Sequence, residues 1–135
     1  MGQQQLLLIV LGVIIVGIAV VVGINVFTAS SVNSNRDAVI ADLTTLASMA
    51  QQYYRKPIAM GGGGQSFDAS TGTGGVAWAI PAQLDTTANG IYTLQSSAAN
   101  SITLVGTGTE SVGGQPVKVT MVVGKDAISS TTINN

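Results

Sequence analysis

The chain begins with an unbroken apolar stretch, and a periodic pattern follows it. Residues 6–24 are apolar throughout apart from glycine, and no charged residue precedes Arg36. A transmembrane helix needs about 20 such residues, so the stretch is long enough to cross a bilayer. A cleaved secretory signal has a positive start and a shorter apolar core of about 7–15 residues. The pattern therefore favours an apolar helix that is retained in the working protein.

Beyond a polar stretch at residues 25–35, apolar residues return three or four positions apart, which is the spacing of one helix face. No proline interrupts the chain before Pro57. We predict one long helix over residues 1–54, with an apolar part at 3–27, an amphipathic part at 36–54 and a weak point near residues 30–34. The stripe expected to pack on the rest of the chain consists of Val39, Leu43, Leu46, Ala50 and Tyr53.

The remainder of the chain divides into a connecting region and a β region. Residues 55–89 are loop-rich, with four consecutive glycines at 61–64 that indicate a flexible link and a Trp78 that suits a packing role. Residues 90–135 carry β-branched runs separated by turn residues, with a longer hairpin loop expected at 111–116. The predicted fold class is α+β: one long N-terminal helix whose C-terminal half packs on a small antiparallel sheet of three to four strands.

The amino-acid composition excludes several classes of function. The net charge is −1 and the five basic residues form no stripe, so no nucleic-acid partner is predicted. The chain contains neither cysteine nor histidine, and its acidic residues are scattered. We therefore predict no catalytic residues, no metal site, no cofactor and no enzymatic activity.

The layout resembles that of type IV pilins and pseudopilins, the subunits of type IV pili and related secretion filaments. The resemblance is carried by "GQQQLLLIVLGVIIVGIAVVVGINVF" and by the helix "RDAVIADLTTLASMAQQYYR". It implies a pilin-like fold and a structural role, in which identical subunits polymerise through the apolar helix. The residues assigned to this assembly helix are Leu6, Leu7, Ile9, Leu11, Gly12, Ile15, Gly17, Val20 and Gly23.

The resemblance also implies a route to the cell surface. A prepilin peptidase would cleave between Gly2 and Gln3, and pilus assembly machinery would move the subunit from the inner membrane into an extracellular filament. Where the family carries a glutamate, this chain offers Gln3, Gln4 and Gln5 as N-terminal polar contacts.

Two alternatives to a major filament subunit remain open at this stage. One is a minor pseudopilin of a secretion system, which forms a short piston. The other is a single-pass membrane-anchored binding module, whose apolar helix stays permanently in lipid.

Overall fold

A computed structural model describes residues 2–68 and 76–134 of the chain. One long helix, α1 (Gly2–Arg55), is followed by a short 3₁₀ helix at Ile58–Met60 and by an antiparallel sheet of five strands. Each strand pairs with the next in chain order, so the sheet is a simple meander. The strands are β1 (Thr86–Thr87), β2 (Gly90–Ala98), β3 (Ser101–Val112), β4 (Gln115–Gly124) and β5 (Ile128–Ile133). The α+β class and the single long N-terminal helix are confirmed.

The number of strands was predicted wrongly: the sheet has five strands rather than three to four. The additional strand β1 pairs Thr86 with Ile91 and Thr87 with Gly90. It lies in the region taken as loop, because a strand of two residues is too short to show an alternating pattern.

The hairpin between β3 and β4 is also tighter than the longer loop expected at residues 111–116. Its turn consists of Gly113 and Gly114, and both have positive φ, 57° and 84°. A two-residue turn with positive φ at both positions matches the right-handed twist of the strands it joins. This geometry explains why two adjacent glycines stand there.

Helix α1 runs without interruption from Gly2 to Arg55, including the predicted weak point at residues 30–34. Serine removes no backbone donor, whereas proline does, so these residues leave the helical hydrogen bonds intact. The Thr28 hydroxyl donates to the Ile24 carbonyl at 2.9 Å, which satisfies this polar group within the helix itself. At a rise of about 1.5 Å per residue the helix is roughly 80 Å long.

The four glycines at residues 61–64 form a hydrogen-bonded turn against the C-terminus of α1 and are not the flexible link that the sequence indicated. The Gly63 N–H donates to the Tyr53 carbonyl at 2.8 Å, and the Gly64 N–H donates to the Lys56 carbonyl at 3.0 Å. The Gln65 N–H reaches the Tyr54 carbonyl at 2.8 Å. The last carbonyls of a helix have no partner within it, so the returning chain satisfies them.

Substituting Gly63 by alanine tests this cap. An added Cβ would meet the Ser66 carbonyl oxygen and lie 2.8 Å from Cε1 of Tyr53. We expect the free energy of unfolding to fall by about 1–3 kcal/mol, because the chain has to shift away from the helix end. Gly23→Ala is the control, since a Cβ there meets nothing within 4 Å. Urea unfolding of the full chain in detergent measures both, and equal midpoints for the two variants would contradict the cap.

The core lies between the C-terminal half of α1 and one face of the sheet, chiefly β3 and β4. The helix approaches β3 closely because Gly106 has no side chain: a Cβ there would lie 2.6 Å from Cγ1 of Val39. Trp78 and Phe67 close one end of this core. The buried residues contributed by the sheet are Tyr92, Ile102, Leu104, Val117, Val119, Met121 and Val123.

Candidate functional site: the exposed apolar helix and its junction with the sheet

The N-terminal half of α1 is exposed along its whole length. Residues 2–30 are all exposed, and the large apolar side chains from Leu6 to Phe27 expose between 53% and 75% of their surface. Monomeric soluble proteins rarely expose a contiguous apolar surface of more than a few hundred Å². This half of the helix is therefore a surface that requires another partner, either lipid or protein.

The structure places the predicted assembly residues together on this projecting half. The glycines Gly12, Gly17 and Gly23 border open space, with no atom within 4 Å of an added Cβ. The polar residues that precede the apolar stretch are exposed as well: Gln3, Gln4 and Gln5. The apolar assembly residues that lie exposed are Leu6, Leu7, Ile9, Leu11, Ile15 and Val20.

Among the described residues, α1 is the one helix long and apolar enough to cross a membrane, judged by length and composition. The charged residues of α1 begin at Arg36, outside the apolar stretch at 6–24. The helix thus combines a segment compatible with membrane anchoring and a segment that belongs to the folded head. We use the term head for residues 36–68 and 76–134.

The predicted packing stripe lies against the sheet. Val39, Leu43 and Ala50 are fully buried, and Leu46 is 2% exposed. Tyr53 is half-buried at the end of the stripe, where its hydroxyl donates to the Val76 carbonyl. The same helix is therefore exposed on every side in its first half and embedded along one face in its second.

Asn35 fastens α1 to the sheet at the boundary between the two halves. Its Nδ2 donates to the Asn89 carbonyl at 2.9 Å and to the Thr109 hydroxyl at 3.2 Å. Its Oδ1 accepts the Glu110 N–H at 3.3 Å. Sequence reasoning missed this residue, although its position one helical turn before Val39 puts it on the packing stripe.

Asp42 forms a second polar contact between helix and sheet. Its Oδ2 accepts hydrogen bonds from the Tyr92 hydroxyl at 2.6 Å, from Asn89 Nδ2 at 3.0 Å and from the Thr87 hydroxyl at 3.1 Å. The predicted packing stripe does not include Asp42. Asp42 follows Val39 by three positions and precedes Leu46 by four, so it borders the same face.

The environment of Asp42 shifts two pKa values, and both groups lie well outside the apolar stretch at residues 6–24. Burial raises the pKa of Asp42, but the hydrogen bonds from Tyr92, Asn89 and Thr87 outweigh it, and the net pKa lies below the ordinary value of 3.8. Burial, and the hydrogen bond to Asp42, raise the pKa of Tyr92 well above its usual range. The ionised carboxylate and the neutral phenol are therefore the stable pair.

The stability of the head should depend on pH through Asp42. Because its pKa is lower in the folded than in the unfolded chain, its contribution is fully present above the unfolded pKa of about 3.9. That contribution is lost as the pH falls through the lower, folded value. Asp42→Asn should remove about 1–2 kcal/mol at neutral pH, since a neutral amide oxygen accepts these bonds more weakly than a carboxylate oxygen does.

Unfolding midpoints of the full chain between neutral pH and pH 2 measure this effect. The Asn variant should lose less stability on acidification than the wild-type chain does. Asp37→Asn is the matched control, because Asp37 lies exposed on the same helix. If Asp42→Asn and wild type lost stability in parallel on acidification, the carboxylate would have no such role.

Two shallow grooves flank α1 where it leaves the sheet. One has a volume of about 450 Å³ and lies between the helix and the β3 end, with Phe27, Ser31 and Glu110 in its lining. The other, of about 430 Å³, lies under the β3–β4 hairpin, lined by residues such as Ala29 and Val112. Small residues of α1 border both grooves, so a neighbouring helix could approach closely there.

No three acidic side chains come together within residues 2–68 and 76–134 in a way that could hold a metal ion. Comparisons of the chain with protein-family models, with curated proteins and with solved structures find no match.

Proposed function

We propose that the chain is a structural subunit of the type IV pilin class, which polymerises through the apolar half of α1 into an extracellular helical filament. One observation carries the proposal: a single continuous helix is buried along one face within a folded head and is exposed throughout its apolar first half. A helix of this kind joins a self-contained head to a segment that other molecules must cover.

The energetics favour association of these segments. Covering the apolar stretch at residues 6–24 removes on the order of 1000 Å² of apolar surface from water, worth on the order of 25 kcal/mol before costs. Lost translational, rotational and side-chain freedom reduces this figure heavily. Lipid covers the segment before assembly, and the helices of identical subunits cover it afterwards.

The shape of the helix supports an open polymer. Gly12, Gly17 and Gly23 leave gaps in the apolar surface, which allow a neighbouring helix to approach closely. Contacts between different surfaces of successive subunits build a helical filament when their rotation does not close into a ring. The heads then form the outer layer, and the contacts of Asn35 and Asp42 hold each head rigidly to its helix.

The proposal includes processing and transport. The precursor resides in the inner membrane, a prepilin peptidase cleaves between Gly2 and Gln3, and pilus assembly machinery extracts the mature chain. In the bundle, Gln3, Gln4 and Gln5 supply polar contacts at the N-terminal end of the helix. The mass of the mature N-terminal peptide, measured by mass spectrometry, tests the cleavage directly.

Electron microscopy of material sheared from the cell surface tests the function, with an antibody against the head as the label. Long filaments labelled along their length, with this chain as the dominant protein, support the proposal. A chain that is rare and confined to short periplasmic assemblies would instead be a minor pseudopilin. A chain recovered only as a detergent-dependent monomer from the inner membrane would be an anchored binding module, and the filament proposal would fail.

A further inference from the structure

Strand β5 forms an open edge of the sheet. Within residues 2–68 and 76–134 it pairs with β4 alone, and all six of its residues, Ile128–Ile133, are exposed. Its two isoleucines expose 39% and 47% of their surface, because α1 packs chiefly on β3 and β4. The strand therefore offers both backbone groups and apolar side chains to a partner.

The pairing with β4 determines which backbone groups face outward. The Asn134 N–H donates to the Lys118 carbonyl at 2.8 Å. In an antiparallel pair the hydrogen-bonding direction alternates from one residue to the next. Thr132 thus points its N–H and C=O towards β4, whereas Thr131 and Ile133 point theirs away from the sheet. The register shifts between the Val122–Ser130 and Val123–Ile128 pairs, so the regular edge comprises residues 130–133.

Beyond the register shift, the regular part of this edge at residues 130–133 carries no charge or proline to prevent pairing with another chain. Strand β5 reads "ISSTTI" and contains no charge, no proline and no glycine. Natural proteins commonly place lysine or proline on exposed edge strands. A short, uncharged segment of high β propensity on an open edge is a template for strand addition.

We propose that β5 is a self-association edge, to which β5 of a second copy of this chain adds in antiparallel orientation. We choose the register in which the outward groups of both Thr131 and Ile133 are paired. In it, Thr131 of one copy faces Ile133 of the other, and the two Thr132 residues face each other. Each outward N–H then meets an outward C=O, giving about four backbone hydrogen bonds. The two five-stranded sheets become one continuous sheet across two chains.

A second copy is the occupant that fits this edge best. An antiparallel pair of identical segments is symmetric about a two-fold axis, so the same surface serves both partners. Threonine opposite threonine is a favourable cross-strand pair. The charged turn residues Lys125 and Asp126 precede β5, so the antiparallel arrangement keeps those of the two copies at opposite ends. The two-fold axis of this pair is normal to the sheet, so it turns the two α1 helices, which pack on the sheet face, in opposite directions. The pair therefore joins heads that belong to different filaments. The inference does not depend on the filament proposal, because β5 lies in the head and makes no use of the apolar half of α1.

Disulfide trapping tests the pairing, and the chain is suited to it because it contains no cysteine. In a facing pair without mutual hydrogen bonds, the Cα atoms lie about 4.5 Å apart, which is within the range of a disulfide. The full chain carrying Thr132→Cys is oxidised mildly in detergent over a range of concentrations. Thr93→Cys is the matched control, since Thr93 is an exposed strand threonine on β2.

We expect the covalent dimer of Thr132→Cys to accumulate several-fold faster than that of Thr93→Cys. A mixture of Thr131→Cys and Ile133→Cys chains should give more dimer than either variant alone, because only the mixture places two cysteines opposite each other. Equal dimer yields from Thr132→Cys and Thr93→Cys would overturn the proposal. The proposal would also be overturned if the mixture of Thr131→Cys and Ile133→Cys chains gave no more dimer than either variant gives alone. The experiment uses chains dissolved in detergent and does not require them to form filaments. A negative result would therefore count against the β5 pairing and not against the proposed function.

Discussion

Replacing Ile15 by lysine should prevent the chain from entering filaments. Ile15 lies within the apolar stretch and exposes 57% of its surface, so it is available to lipid or to a neighbouring helix. A lysine at the centre of a membrane helix costs about 2.5–3.5 kcal/mol on insertion scales. In a dry helix bundle the uncompensated charge costs more, because no water solvates it. The chain should therefore be lost from the sheared surface fraction, whereas the remaining apolar residues of the stretch should keep it in the membrane fraction.

Two controls separate this effect from a general loss of the protein. Ile15→Leu keeps the segment apolar and should leave both fractions unchanged. Thr44→Lys adds the same charge at an exposed position on the head part of α1, and it should leave assembly within about twofold of wild type because surface substitutions are nearly neutral. Normal filaments from Ile15→Lys would show that the apolar half of α1 is not the assembly element.

Replacing Leu43 by alanine should destabilise the head more than loss of the Asp42 carboxylate does. Leu43 is fully buried between α1 and the sheet. Truncating such a leucine typically costs about 2–5 kcal/mol, through lost burial and the cavity that remains. Unfolding by urea in detergent, followed by the near-ultraviolet signal of the buried Trp78, measures the loss.

Thr44→Ala provides the adjacent comparison. The Thr44 hydroxyl is exposed and donates to the Ile40 carbonyl of its own helix at 2.8 Å, so its removal should change stability by less than about 0.5 kcal/mol. Comparable losses from the two variants would mean that the stripe on α1 does not form the core of the head.

The parts of the fold governed by periodicity could be predicted from the sequence. Val39, Leu43, Leu46 and Ala50 repeat at the spacing of one helix face, and burial of that face against the sheet requires this spacing. The apolar stretch at residues 6–24 likewise follows from composition alone. Both predictions depend on patterns that extend over many residues.

The parts governed by single contacts were missed. Asn35 and Asp42 are polar residues beside the apolar stripe of α1, and their partners in the sheet lie far along the chain. The glycines at 61–64 were interpreted as flexible because the same residue suits a mobile link and a tightly folded cap. A mobile link and a folded cap can be distinguished only by the hydrogen bonds that the glycines make at the helix end, which the sequence does not show.

The occupant of the apolar half of α1 is a separate molecule, so no pattern within one chain identifies it. The two candidate partners of this half are lipid and the apolar helix of another molecule. Both are apolar, so either one would be matched by the same exposed residues. Our proposal takes the choice between them from the resemblance to pilins, and the exposed, continuous helix is compatible with either.

A density map of the sheared surface filaments by cryo-electron microscopy tests the central claim most directly. Our account predicts a core of laterally packed helices, in which residues 6–24 of adjacent copies are in contact, surrounded by an outer layer of five-stranded sheets. The map should show each helix continuing without a break into its head through Asn35 and Asp42. A filament core built from the sheets, with the apolar helices absent or on the outside, would contradict the account.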